Sequence, residues 1–383
     1  MSLFCSAKVC KQRRRAEMTI LVLCREDNLC NTLACYARAM RRSGVQLVCL
    51  ERGFPLNGVL QDILCFCSER PSLILHPEAD VPYLPWGLAE VDIPTACFQV
   101  DTYAYTARRI TWSMLFDQAI VFHPGYDALF RREGHPGACF FAHAVDAELF
   151  SGEMLERVFE VGWVGQVTGP MYGRRGSVLS ELAKKFRMNE LARRYTQQEM
   201  ARIYRQSHIV VNMGRDDYPQ DANLRIFEAM AGGALLITAL PSEMTQIGFE
   251  EGVHFLGYRN SGETVALVRK YLDDEPARRR IASAGREKVL HEHTYDVRVG
   301  KWLEGLAKGA VKLRAPARNW SEGSVRRIYL DYFAANGALS QAALELPKIA
   351  RHSLKDALIS AALLGRAWSK RLGAKLRPRN KAA

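Results

Sequence analysis

Short apolar runs alternate with longer, partly helical segments over most of the first 300 residues, and this alternation constrains the fold more than any other feature. The early runs include MTILVLC (18–24), SLILH (72–76), TACFQVD (95–101) and QAIVFH (118–123). Each has the length of a buried strand, and the segments between them are long enough for crossover helices. This order predicts parallel sheets covered by helices, the α/β class.

A second series of apolar runs begins near residue 158. Amphipathic helical segments separate its strands, which are VFEVGWVG (158–165), HIVVNMG (208–214) and ALLIT (234–238). Because each series supplies its own strands and helices, and because the chain has 383 residues, we expect two Rossmann-like α/β domains rather than one.

The sequence divides accordingly into four parts. Residues 1–17 form a basic leader that we expect to be disordered. Residues 18–150 are expected to form the first α/β domain, and residues 151–300 the second. From residue 301 to residue 383 the composition changes to Ala, Leu, Lys and Arg, which predicts a basic helical extension.

The extension carries the positive charge of the chain. The net charge is +12; residues 301–383 contain 17 Lys and Arg against 5 Asp and Glu, whereas residues 1–300 contain 36 of each. A body without net charge argues against binding to duplex nucleic acid, so we expect no nucleic-acid partner. The basic tail alone prompts the rival hypothesis of an RNA- or DNA-associated protein.

Within the extension, Pro316, Asn336–Gly337 and Pro347 are expected to separate helical pieces. The last helix has apolar residues spaced as one stripe, with basic residues around it, at positions 358, 359, 363, 364, 368, 372 and 376. Two interpretations stay open. The helix either packs on the body with a solvated basic face, or it is a surface helix drawn to anionic lipid.

The sequence carries no sign of a membrane span or of secretion. No apolar run approaches the roughly 18 residues that span a bilayer, and the first residues lack the order typical of a signal peptide. We therefore expect a cytoplasmic protein. All ten cysteines lie in the first 139 residues without the spacing of a zinc site, so we expect no metal.

The stretch DANLRIFEAMAGG (221–233) places charged groups at the start of a helix that follows a buried strand. In open α/β sheets, ligands bind beyond the carboxyl ends of the strands, where free N–H groups of helix N-termini attract phosphate. We expect the helix to begin near Asn223 or Leu224. Arg225 then lies in its first turn and suits a diphosphate through a forked hydrogen bond.

Glu228 lies one turn further along the same helix. Its two carboxylate oxygens suit the two vicinal hydroxyls of a ribose. An acidic side chain near a helix start also complements the helix dipole without any ligand, so this alternative stays open. Gly232 and Gly233 are expected to end the helix.

A family resemblance accompanies these residues. The run VVNMGRDDYPQDANLRIFEAMAGGALLIT, followed by GFEEGVHFLGYRNSGE and AGREKVLHEHTYDVRV, resembles the C-terminal domain of the CgeB-like (spore-maturation) glycosyltransferases. These enzymes are built from two facing Rossmann-like domains, the GT-B fold. The match covers most of residues 158–300. The first half resembles the same family through DIPTACFQVDTY, FDQAIVFHPGY and HAVDAELF.

The resemblance implies roles for particular residues. Glu228 would hold the ribose of a nucleotide sugar, and Arg174 and Arg175 would approach its diphosphate. A solvated loop is the alternative for the two arginines, and we favour the phosphate role because they lie at a strand-to-helix turn. Gly162 and Gly165, within VFEVGWVG, would let the backbone approach. The candidate residues for the nucleotide sugar are Gly165, Arg174, Arg175, Asn223, Arg225 and Glu228. No cofactor beyond the donor substrate is implied.

An inverting transfer also needs a general base, and four residues at strand ends are candidates. We rank Asp101 first, because it directly follows an apolar run; His76, His123 and His143 come after it. Each has a structural alternative. Asp101 suits a cap, His76 and His123 suit turns before proline, and His143 suits the border of a hinge.

Together these features predict a metal-independent GT-B glycosyltransferase that uses a nucleoside diphosphate sugar. A cell-envelope glycan or a lipid-linked molecule is the expected acceptor, with a protein as the alternative, and the inner face of the cytoplasmic membrane is a possible location. Gln220 stands eight residues before Glu228, where many retaining relatives have a second glutamate. The stereochemistry therefore stays open, as does a non-catalytic sugar-nucleotide binding module.

Overall fold

The computed structural model describes residues 18–29, 31–78, 81–153, 155–307 and 314–376. The predicted leader, residues 1–17, lies outside the described residues. The chain divides into two compact units. The first comprises the described parts of Met1–Val121, Tyr126–Cys139 and Leu306–Ala383, and the second comprises those of Phe122–Gly125 and Phe140–Gly305.

Within the described residues, ten strands form two sheets. The first sheet has the order β2-β1-β3-β4-β5-β6, and the second has the order β10-β9-β8-β7. The strands are β1 (Thr19–Arg25), β2 (Gln46–Leu50), β3 (Leu73–His76), β4 (Thr95–Gln99), β5 (Gln118–Val121), β6 (Ala138–Phe140), β7 (Phe159–Gly162), β8 (Ser207–Asn212), β9 (Leu235–Ala239) and β10 (Leu256–Tyr258). The pairs among β1–β5 and among β7–β10 are parallel, as the alternation of the sequence predicts.

The described helices fill the segments between these strands and the C-terminal extension. They are α1 (Asn31–Arg42), α2 (Leu60–Cys65), α3 (Thr106–Ser113), α4 (Tyr126–Arg132), α5 (Ala147–Phe150), α6 (Gly173–Lys185), α7 (Gln197–Arg205), α8 (Leu224–Ala231), α9 (Ser261–Asp273), α10 (Glu275–Glu292), α11 (Tyr295–Ala307), α12 (Glu322–Ala335), α13 (Leu339–Ala350) and α14 (Leu354–Leu376). None of the helices in these described ranges is long and apolar enough to cross a membrane.

The second sheet has a core on each face because successive side chains of a strand point to opposite sides. Val210 of β8 and Leu236 of β9 pack with α7 and α8. Their neighbours Ile209 and Leu235 pack on the other face with α6 and α9. Helix α8 is thereby fixed against the sheet. Its first turn lies near the C-terminal end of β8 in space.

The unit boundaries differ from the division expected from the sequence. Val145 is tied to the segment after α10, since its N–H donates to the carbonyl of His293 at 2.9 Å and its carbonyl accepts from Tyr295 at 3.0 Å. Residues from Phe140 onward therefore join the second unit. The sequence pattern near residues 140–150 reflects only neighbouring residues. It therefore could not predict the hydrogen bonds of Val145 to His293 and Tyr295.

The extension is likewise held by long-range contacts. The backbone N–H of Ala315 donates to Asp117 Oδ1 at 2.8 Å, and the Tyr329 hydroxyl donates to the carbonyl of Pro85 at 2.7 Å. Residues after Leu306 thus belong to the first unit rather than standing alone. Pro347 lies inside α13, so the expected break there is wrong; a proline removes one donor, and α13 ends three residues later.

The apolar stripe of α14 faces solvent over most of its described length. Leu364 is buried, whereas Leu358, Ile359, Leu363 and Trp368 are exposed. The side chains at stripe positions 372 and 376 lie outside the described part of the chain. Most of the described stripe is therefore exposed, while Ser360 and Leu364 are buried on the same helix.

Candidate functional site

The N-terminus of α8 is the centre of the candidate site. Asn223 is its N-cap, with extended backbone and no capping hydrogen bond from its side chain. Among the described residues, the buried Oδ1 of Asn223 has no hydrogen-bond partner. The N–H groups of the first turn, at the positive end of the helix dipole, are therefore not satisfied by this cap and suit an anion.

Arg225 is aimed by the ends of two strands. Its Nε donates to Asn212 Oδ1 at 3.4 Å, and Asn212 Nδ2 in turn donates to Thr238 Oγ1 at 3.0 Å. The guanidinium carbon lies 5.5 Å from the ring centroid of Trp163, within cation–π distance. The guanidinium is thus held in front of β8 rather than free in solvent.

Gly165 leaves space for this guanidinium. Its φ of +148° is one that residues with a side chain rarely adopt, and a Cβ placed there would lie 2.7 Å from Arg225 Nη1. The backbone conformation therefore favours glycine, and a side chain at this position would push the guanidinium of Arg225 aside.

Gly165→Ala is therefore expected to displace Arg225 and to weaken the binding of a nucleoside diphosphate about tenfold, or about 1.4 kcal/mol. Isothermal titration measures the effect. Gly300→Ala is the matched control, because a Cβ at Gly300 meets no atom within 4 Å. Equal affinities of Gly165→Ala and wild type would show that Arg225 does not contact the diphosphate.

Arg175 is a second cation beside the same tryptophan. It is buried, and it donates to the carbonyls of Gln166 at 3.0 Å and Met213 at 2.7 Å. Its guanidinium carbon lies 5.5 Å from the Trp163 ring centroid. Burial, and then the charge of Arg225, lower the pKa of Arg175 to about 10. The two cations repel one another, so an anion between them would be favoured.

Nearby carboxylates are paired with other arginines. Asp216 pairs with exposed Arg174 at 3.3 Å, and Asp217 pairs with Arg215 at 2.9 Å. Asp216 Oδ2 also accepts from the N–H of Gly173 at 2.7 Å, so a carboxylate already caps α6. The structure therefore distinguishes the two predicted arginines: Arg175 lies beside Arg225, and Arg174 is neutralised.

Glu228 is buried, with 6% of its surface exposed, and its Oε2 has no hydrogen-bond partner in the described chain. Burial raises the pKa of Glu228 to about 7, with the nearby Arg225 charge opposing the shift. The Tyr204 hydroxyl is buried without a described partner too, and burial followed by the Glu228 charge raises the pKa of Tyr204. Unsatisfied buried polar groups are costly, and a ligand hydroxyl that reached Glu228 would supply the missing partner of its Oε2.

His123 lies on the other side of the α8 start, within the second unit. Its Nδ1 is 3.0 Å from Glu243 Oε2, and both residues are buried. Glu243 also accepts from the Tyr218 hydroxyl at 2.5 Å and from the N–H of Ala222 at 3.0 Å. One carboxylate thus orients the His123 ring and fixes the loop that leads into α8.

His143 completes a cluster with His123. One ligand atom from each of His123, His143 and Asp221 lies within 4.8 Å of the others. Burial, followed by the charges of His123 and Arg298, lowers the pKa of His143 to about 3, so its ring is neutral. Two imidazoles and a carboxylate suit proton transfer, and by their chemistry they also suit a divalent cation.

The other two candidate bases lie in the first unit. His76 Nε2 is 3.1 Å from the Tyr332 hydroxyl, and burial lowers the pKa of His76 to about 4. Asp101 is exposed in the turn after β4, where its carbonyl accepts from Ala104 at 2.9 Å. Of the four candidates, the structure brings His123 and His143 to the start of α8.

Several residues of the site were not predicted. Glu243 has its partner His123 120 residues away, so no local pattern could identify it. The same holds for Asn212 and Tyr204. Trp163 had a usable signal, because an aromatic residue directly follows β7 at the edge where ligands bind.

Comparison with protein families finds one match, which lies within the second unit. Residues 152–304 match the family model described as "Glycosyl transferase-like". This match confirms the glycosyltransferase resemblance over that part of the chain, whereas the CgeB-like subtype stays a prediction. No curated protein sequence matches the chain significantly.

Solved structures show the same fold at low sequence identity. The structure of Anabaena HepE in complex with UDP and glucose is 12% identical, with a TM-score of 0.55 over 76% of this chain and 100% of that chain. HepE in complex with UDP-glucose is 11% identical with a TM-score of 0.53, over the same shares of both chains. Sucrose-phosphate synthase from Thermosynechococcus elongatus is 12% identical, with a TM-score of 0.53 and the same coverage. The predicted fold class, α/β of the GT-B type, is confirmed.

Proposed function

We propose that the chain is a glycosyltransferase of the CgeB-like type that moves a sugar from a UDP-sugar to an acceptor hydroxyl. One observation carries the proposal: around the start of α8, two guanidiniums form no ion pair with a carboxylate among the described residues, and the buried Oε2 of Glu228 has no hydrogen-bond partner there. A nucleoside diphosphate supplies both missing partners, because its phosphates are anionic and its ribose carries two hydroxyls. UDP-glucose, which HepE binds, is the first donor to test.

In this proposal each part of the donor has its own contact. Arg225, Arg175 and the first-turn N–H groups of α8 neutralise the diphosphate, and Gly165 allows its approach. Glu228 accepts hydrogen bonds from the ribose hydroxyls. Asn223 and Arg174 lie at the edge of the same site, where Arg174 is free to exchange Asp216 for a phosphate.

The His123–Glu243 pair supplies the general base. A proton on Nδ1 directed at Glu243 makes Nε2 the basic atom. Nε2 takes the proton of the acceptor hydroxyl while that oxygen bonds to C1 of the sugar and the bond from C1 to the diphosphate oxygen breaks. Arg225 and the helix start stabilise the charge on the departing diphosphate. Attack on the face opposite the leaving group inverts the anomeric configuration, which proton NMR of the product measures.

The transfer is proposed to need no metal, since guanidiniums and a helix dipole serve the diphosphate. EDTA at millimolar concentration is expected to change the rate less than twofold, and Zn²⁺ or Mn²⁺ added back is expected to have no effect. The cluster of His123, His143 and Asp221 makes this a real test. A rate abolished by EDTA and restored by one cation would make that cluster a catalytic metal site.

The acceptor is proposed to be a cell-envelope glycan or a lipid-linked molecule, with a protein as the alternative, at the inner face of the cytoplasmic membrane. The exposed stripe of α14 supports membrane contact, since Leu358 is 72% exposed and basic residues flank the stripe.

Leu358→Asp is expected to lower binding to vesicles of phosphatidylglycerol about tenfold, because one leucine side chain no longer enters the bilayer. Co-sedimentation measures the effect, with Leu344→Asp of α13 as the control, an exposed leucine outside the stripe. Equal binding of wild type and Leu358→Asp would remove α14 from any membrane contact.

A turnover assay tests the function itself. Purified protein is incubated with UDP-glucose, with and without cell-envelope extract as acceptor, and released UDP is measured. Release that rises with the acceptor supports a transferase. Binding of UDP-glucose without any release indicates the non-catalytic binding module, and nucleic-acid binding that ignores UDP-sugars and disappears without residues 301–383 indicates the third hypothesis.

A further inference from the structure

A cavity of about 1410 Å³ lies in the first unit. His76 at the end of β3, Glu78 just after it and Gln99 at the end of β4 line one side. This is the carboxyl edge of neighbouring parallel strands, where open α/β sheets bind ligands. Residues of α12 and α14 close the other side, so the C-terminal extension is part of the wall.

The cavity holds one positive charge that no described acidic residue balances. Arg109 pairs with Glu78 at 2.7 Å, and Arg108 lies 3.6 Å from Asp331. Arg366 of α14 also lines the cavity, and within the described residues no ion pair involves it. An anionic group is therefore the charge-complementary ligand.

A buried polar group adds a second requirement. His76 lines the cavity with only 7% of its surface exposed, and its Nδ1 has no hydrogen-bond partner in the described chain. Its Nε2 is already engaged by Tyr332. A ligand head that reached this nitrogen would supply a hydrogen-bond partner, which a purely apolar ligand lacks.

The wall also has an apolar part that continues onto the exposed face of α14. Phe98, Trp112 and Leu339 line the interior, and Leu363, which is 39% exposed, stands at the rim. Ile359, one turn before Leu363, is exposed on the same helix. An apolar chain that leaves the cavity would thus find apolar surface outside it.

We infer that this cavity binds a single-chain amphiphile with an anionic head, the head at Arg366 and His76 and the chain along Leu363 and the outer face of α14. Resting on the proposed function, this ligand is the lipid-linked acceptor. The first unit then selects the acceptor through its C-terminal extension, while the second unit holds the donor.

Dodecyl phosphate below its critical micelle concentration is the probe, and its binding is measured by isothermal titration without any donor. Leu363→Asp and Arg366→Glu are each expected to weaken binding at least about tenfold. The first places a charge against the apolar chain of the ligand, and the second reverses the charge that faces its head. Arg366→Glu is expected to affect dodecyl maltoside, with its uncharged head, less than threefold. Leu344→Asp is the matched control, outside the cavity, and is expected to bind as wild type does.

Three results would overturn the inference. One is unchanged binding of dodecyl phosphate by both cavity variants whose circular dichroism matches wild type. Another is binding of inorganic phosphate as tight as that of dodecyl phosphate, which would indicate a simple anion site. The third is a wild-type dimer that Leu363→Asp turns into a monomer on sedimentation, which would assign the apolar face to a second copy of the chain.

A parallel titration with UDP-glucose keeps this inference separate from the proposed function. Specific binding of dodecyl phosphate without any binding of nucleotide sugars would sink the proposed function and leave the amphiphile site intact. If nucleotide sugars bind but the cavity variants bind dodecyl phosphate as wild type does, the amphiphile site would be refuted and the proposed function would stand.

Discussion

Replacing His123 with glutamine is expected to lower kcat for UDP release about a thousandfold, the usual contribution of a general base. The affinity for UDP-glucose is expected to stay within threefold of wild type. Glutamine keeps much of the polarity and size of histidine, so binding is preserved. It has no nitrogen that accepts a proton, so catalysis is lost. His291→Gln, at an exposed position of α10, is the control.

Glu243→Gln tests the positioning role of the carboxylate. An amide at this position no longer favours the tautomer with the proton on Nδ1, so kcat is expected to fall about a hundredfold, with little change in KM. The two variants act on one unit, and the double variant is expected to be little worse than His123→Gln. A His123→Gln enzyme with more than a tenth of wild-type kcat would show that His123 is not the base and would leave Asp101, His76 and His143 as the candidates.

The second large effect is a gain of stability in Glu228→Gln without ligand. Burial raises the pKa of Glu228 from 4.5 to about 7. Between these values the unfolded chain has released the proton that the folded protein retains, so the free energy of unfolding falls as pH rises. Above pH 7 the loss reaches about 3 kcal/mol, and the neutral amide avoids it.

Urea unfolding at pH 5 and pH 8 measures this difference. Glu228→Gln is expected to be more stable than wild type at pH 8, by up to about 3 kcal/mol, and nearly equal to it at pH 5. A carboxylate that served only the helix dipole would give the opposite sign, because its removal would destabilise the protein. A less stable Glu228→Gln protein at pH 8 would therefore favour the purely structural role.

The start of α8 was predictable because the relevant information is local. Asn223 precedes the helix as its N-cap, and Arg225 and Glu228 are one turn apart on it. Gly232 and Gly233 end it, with Gly233 at a φ of +73°. Short-range capping and spacing rules are enough for such a unit.

The environment of that helix was not predictable, because it is made by distant segments. The Trp163 ring comes from the loop after β7, the Glu243 carboxylate from the segment after β9, and His123 from the segment after β5. Only the tertiary fold decides that they meet. The same reason explains why Arg174 and Arg175, adjacent in sequence, have different environments. Arg175 is buried and donates to two backbone carbonyls, whereas Arg174 pairs with Asp216.

The most direct test of the donor site is the dissociation constant of UDP-glucose at pH 8 for wild type, Glu228→Gln and Glu181→Gln. UDP-glucose is the right titrant because its phosphates do not titrate near pH 7. Loss of two charge-assisted hydrogen bonds to the ribose is expected to raise the dissociation constant of Glu228→Gln about a hundredfold, or about 2.7 kcal/mol. The exposed-surface control Glu181→Gln is expected to stay within twofold. A Glu228→Gln protein that binds UDP-glucose as tightly as wild type would contradict the assignment of the nucleotide sugar to α8.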